Sequence, residues 1–141
     1  MINKIINEGI NRMDTWKTYR KTALTRAKPV ETAGLLQTLE GPTTYEAGDY
    51  ICIGVKNEQW PQSRARIEGF YDLVGGPDEQ GYFSYHKKGT VQAQAQDEAF
   101  KVSKADGQIL AGKAGDYMVT DLTGDWVVDR EIFEQTYELA V

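Results

Sequence analysis

The chain spells Ala-Gly-Asp-Tyr twice, at Ala47–Tyr50 and again at Ala114–Tyr117, each time ahead of a short apolar run. The copies lie 67 residues apart, and their surroundings recur at nearly the same interval. Trp126 answers Trp60, Tyr137 answers Tyr71, Glu138 answers Asp72 and Leu139 answers Leu73, all at 66, and Gly107 answers Gly41 at the same spacing. Further upstream, Lys28 and Ala33 of "KPVETA" align with Lys88 and Ala93 of "KGTVQA" if the second copy carries the six-residue insertion "QAQDEA". Two copies of one unit are too few to cover the core of an open solenoid, so they are expected to pack face to face as a pseudo-twofold pair.

Each copy can be read locally. "GLLQTLEG" and "AFKVSKADG" have strand-length apolar patterns that end in glycine. Gly48 and Gly115 can take positive φ, and Asp49 and Asp116 can accept from nearby backbone N–H groups, which makes Gly-Asp a tight entry into the next strand. "YICIGVKNEQWP" and "YMVTDLTGDWVV" then read as hairpins turning at "KN" and "TG". Ser63 and Asp129 are candidate N-caps for short helices in "SRARIEGFYDLV" and "DREIFEQTYELAV", with Ile67, Phe70 and Tyr71, and Ile132, Phe133 and Tyr137, facing the sheet.

The predicted fold is mainly β, a β-rich α+β arrangement of two tandem β-barrel-like or β-sheet modules, each ending in a short helix. The expected boundaries are 1–25 for an N-terminal helix and lead-in, 26–74 for the first module, 75–81 for a linker and 82–141 for the second module. The extra N-terminal helix rests on Ile2, Ile5, Ile6, Ile10, Met13 and Trp16 at amphipathic spacing. Gly48, Asp49, Tyr50, Trp60 and Tyr71 mark the first module, and Gly115, Asp116, Tyr117, Trp126 and Tyr137 mark the second.

The order "KPVETA", "TLEG", "AGDYICIG", "EQWP" and, in the second copy, "IFEQTYE" resembles a family of small proteins encoded by tailed phages and prophages. The likeness runs from about Arg26 onward in two partial copies. Asn57 stands where the family pattern has Gly before the hairpin acid Glu58, and Ala105-Asp106-Gly107 stands where the first copy has Leu39-Glu40-Gly41. The resemblance implies a phage or bacterial origin and a small β-rich domain, and it implies no particular reaction.

Charge separates the two halves. Residues 1–74 carry 10 basic and 9 acidic side chains, and residues 75–141 carry 6 and 12, within a total net charge of −5. The basic stretch from Arg12 to Lys28 can meet phosphates, an acidic protein or the chain's own acidic half. Small β-barrels bind single-stranded nucleic acid through aromatics over basic grooves, and "TYRK" and "SYHKK" sit 66 apart, so Tyr19, Arg20, Lys21, Tyr85, His86, Lys87 and Lys88 form the nucleic-acid candidate set. A sequence pI near 4.9 opposes that reading.

Asp49 and Asp116 are the candidate ligand pair: if the modules face each other, the two carboxylates could hold a cation or share a proton. An Asx turn explains the same residues more simply. His86 is the only histidine and Cys52 the only cysteine, so no metal cluster of familiar spacing and no intrachain disulfide is expected, and Cys52 in "YICIGV" reads as a small buried hydrophobe. Phosphate-binding glycine loops and a nucleophile elbow are absent, which leaves an enzyme reading without a motif and no cofactor implied. No apolar run reaches the roughly 18 residues of a membrane span, and the N-terminus lacks signal-peptide character, so a cytoplasmic protein is expected. The expected function is a non-enzymatic binding or structural role through a protein partner or self-association. Nucleic-acid binding and a small-ligand or metal site at the seam between modules are the alternatives.

Overall fold

A computed structural model describes residues 16–104 and 107–140. The predicted N-terminal helix and the Ala105-Asp106 departure lie outside the described residues. Among the described residues, fourteen strands and two short helices follow in order. The first are β1 Lys17–Lys21, β2 Thr25–Pro29, β3 Gly34–Thr38, β4 Gly41–Tyr45, β5 Tyr50–Ile53, β6 Gln59–Gln62, α1 Arg64–Phe70 and β7 Tyr71–Gly75. Then come β8 Phe83–Lys87, β9 Val91–Ala95, β10 Phe100–Ser103, β11 Ile109–Gly112, β12 Tyr117–Asp121, β13 Gly124–Val128, α2 Arg130–Thr136 and β14 Tyr137–Leu139.

The strands form two five-stranded antiparallel sheets, ordered β6-β5-β2-β8-β7 and β13-β12-β9-β1-β14, and two hairpins, β3-β4 and β10-β11. Among the described residues both sheets are open. The expected barrel does not close, because β6 and β7 end one sheet and β13 and β14 end the other.

Each sheet takes its fourth strand from the other half of the chain. β8 sits between β2 and β7, and β1 sits between β9 and β14, in matching register: Thr25 faces Tyr85 as Val91 faces Tyr19, and Leu73 faces Tyr85 as Leu139 faces Tyr19. The crossings also match, with Thr22 N–H donating to Thr136 O and Lys88 N–H to Phe70 O. This register corrects the upstream alignment. Ala27, not Ala33, is the counterpart of Ala93; the two face Cys52 and Val119 respectively, and no insertion separates the copies there.

Local chemistry explains the turns. Gly48 and Gly115 take φ of 94° and 95°, where a side chain would be strained. Asp49 accepts from Glu46 N–H at 2.8 Å, and Asp116 from Lys113 N–H at 2.9 Å. Ser63 and Asp129 cap the helices by accepting from Arg66 and Ile132 N–H, each at 3.1 Å, an interaction worth about 1 kcal/mol. Both helices are shorter than expected: Tyr71 and Tyr137 already open strands, and Phe70 is exposed instead of facing the sheet.

The cores repeat as well. Ala27, Cys52, Ile67 and Tyr71 pack with Tyr50, Trp60 and Tyr85, and Val91, Ala93, Val119 and Phe133 pack with Tyr19, Tyr117, Trp126 and Tyr137. In the second core Phe133 stacks between Tyr117 and Tyr137, at 3.9 Å and 4.5 Å between ring centroids. Val102, Leu110 and Val127 form a further cluster beneath the β10-β11 hairpin.

Candidate functional site

A cavity of about 370 Å³ opens between the two halves. Its walls include residues at corresponding positions of the two copies. The first copy contributes Thr43, Gln62 and Arg66, and the second contributes Leu110, Val128 and Ile132. The correspondence of Thr43 with Leu110 follows from pairing, since Leu36 faces Thr43 as Val102 faces Leu110. At these three positions the first copy has polar side chains and the second has aliphatic ones. Trp60 and Trp126, and Tyr71 and Tyr137, line the cleft as matched pairs.

The polar wall is held in place by a network. Gln62 Nε2 donates to Tyr71 Oη at 3.0 Å and to Cys52 Sγ at 3.4 Å, while Arg66 Nε donates to Gln62 Oε1 at 2.8 Å. The Arg66 guanidinium lies over the Trp126 ring at 4.9 Å and reaches Asp121 at 3.8 Å. Lys87, almost wholly buried, pairs with the same carboxylate at 3.5 Å. Burial works against the charge on Asp121, yet hydrogen bonds from Thr123 and the charges of Arg66 and Lys87 hold it below the usual carboxylate range.

Lys21, at the end of the exchanged strand β1, reaches the seam. Its ammonium donates to Thr25 Oγ1 at 2.9 Å and lies 5.2 Å from the Trp60 ring and 5.9 Å from the Tyr137 ring. Desolvation lowers its pKa to about 8. Thr43 Oγ1 is buried and, among the described residues, has no hydrogen-bond partner. Glu40, also lining the cleft, is raised to about 7 by burial and by the charges of Asp116 and Asp129.

The candidate pair Asp49 and Asp116 each serve their own turn. Asp49 lines the cleft, whereas Asp116 is buried and also accepts from Arg130 N–H at 3.2 Å. The nucleic-acid set is divided between the sheets. Tyr19 and Tyr85 pack into separate cores, Arg20 pairs with Glu138, Lys88 pairs with Asp72, and His86 is exposed on β8. Among the described residues, no group of three or more His, Cys, Asp and Glu could hold a metal ion, and no helix is long and apolar enough to cross a membrane.

Gln62, Arg66 and Thr43 were not among the candidates from sequence. Their signal was present in the repeat itself, as polar residues at the positions where the other copy has Val128, Ile132 and Leu110. Neither the curated proteins nor the solved structures compared with the chain include a match. Residues 41–138, a span in which this chain has Gly-Asp-Tyr twice, match the PGDYG protein family, and the chain belongs to that family.

Proposed function

We propose that this protein is a non-enzymatic binding protein and that the cleft between its halves is where it binds. The observation that carries the reading is the difference between the walls: Thr43, Gln62 and Arg66 face a cavity that Leu110, Val128 and Ile132 line from the other copy. A cavity of about 370 Å³ lined by both aliphatic and polar side chains suits a small amphipathic molecule. The reactive candidates lie elsewhere: the Cys52 thiol is buried and pushed up to about 12, and His86 is outside the cleft lining.

A protein-contact reading has its own support. Leu73 and Val74, 62% and 57% exposed, lie on the edge strand β7 beside the exposed Phe70, and an apolar sheet edge suits a protein partner or another copy. The motif order that resembles phage and prophage proteins supports a phage origin and a place in the host cytoplasm. Nucleic-acid binding has less support, because its aromatics are packed in two separate cores.

The test is a small-molecule library titrated into ¹⁵N-labelled protein. Binders are expected to shift the indole N–H signals of Trp60 and Trp126 together. Shifts confined to Leu73 and Val74 would favour the edge-strand reading instead.

A further inference from the structure

We propose that the ligand of this cleft is a small organic monoanion, a carboxylate on an apolar body, whose carboxylate pairs with Lys21. The inference rests on the cleft being a binding site. Lys21 lines it, and its ammonium has no carboxylate within ion-pairing distance among the described residues, whereas Arg66 and Lys87 share Asp121 at the same seam. A desolvated ammonium held only by a hydroxyl and two aromatic faces is favourable ground for an anion.

The charge around Lys21 sets the valence. Of the charged groups that act on Lys21, Glu58 is the acid and Lys87 the cation, and Lys87 is itself paired with Asp121. A single ammonium matches the single charge of a carboxylate, and the acids Glu40, Asp49, Asp125 and Asp129 elsewhere on the lining disfavour a phosphate dianion. The rest of the cleft fits the rest of such a molecule. Leu110, Val128 and Ile132 give its apolar body a surface.

The experiment titrates benzoate, benzamide and benzylamine into the full chain at neutral pH, following the Trp60 and Trp126 indole signals, and repeats this with Lys21→Met and Lys21→Gln. Benzoate should bind about tenfold tighter than benzamide, and benzylamine weakest. Both variants should lose the preference for benzoate while benzamide binding persists; a thermal melt checks that each is folded. If benzoate and benzamide shift the indoles at equal concentrations, or if both variants keep the preference, the carboxylate inference is overturned while the cleft stands. If none of the probes moves either indole, the cleft reading fails with it.

Discussion

Thr43 occupies the position that Leu110 fills in the other copy, and it keeps a hydroxyl there without a partner among the described residues. A buried hydroxyl left unpaired costs roughly 1–3 kcal/mol, so Thr43→Val, which keeps the shape, should raise stability by about 1 kcal/mol. Urea denaturation reads this directly, and an unchanged or lower midpoint would mean that the hydroxyl is satisfied in solution. Glu40 makes a second prediction. Its folded pKa of about 7 lies above the ordinary value of about 4.3, so the folded chain holds this proton more tightly than the unfolded one. Its contribution is fully present below the unfolded value and is lost as pH rises through about 7. Glu40→Gln should therefore flatten the fall in stability between about pH 4 and 8, and an unaltered slope in a pH series of denaturation midpoints would contradict the assignment.

The two Gly-Asp turns share one local design but are loaded differently. Asp49 holds only its own turn, while Asp116 is buried and also receives the first N–H of α2. Asp49→Ala should cost about 1 kcal/mol and Asp116→Ala about 2–3 kcal/mol, compared by chemical denaturation, with equal losses contradicting the difference. These turns and both helix caps were legible in the sequence because they depend on residues three apart in the chain. Strand pairing was not. The 66-residue spacing of "TYRK" and "SYHKK" did mark β1 and β8 as counterparts, but their pairing partners lie far away in sequence, and aligning Lys28 with Lys88 obscured the correspondence of β2 with β9.

At the scale of the whole molecule, neither half completes its own sheet. β1 closes the gap between β9 and β14, β8 closes the gap between β2 and β7, and the cleft lies between the halves joined this way. The sequence could show that two similar units were present, and it could not show which strands they would trade, because either pairing satisfies the same alternation of apolar residues. The polar wall was hidden for a related reason: Gln62 and Arg66 look like ordinary surface residues until Val128 and Ile132 are set beside them. The most direct test of this account places a protease site at 79–80, in the exposed loop between β7 and β8, and cuts the purified chain there. The two pieces should remain together on gel filtration, with the Trp60 and Trp126 indole signals in place, and separate only in denaturant. Two independently folded fragments that part without denaturant would contradict the strand exchange and the shared cleft together.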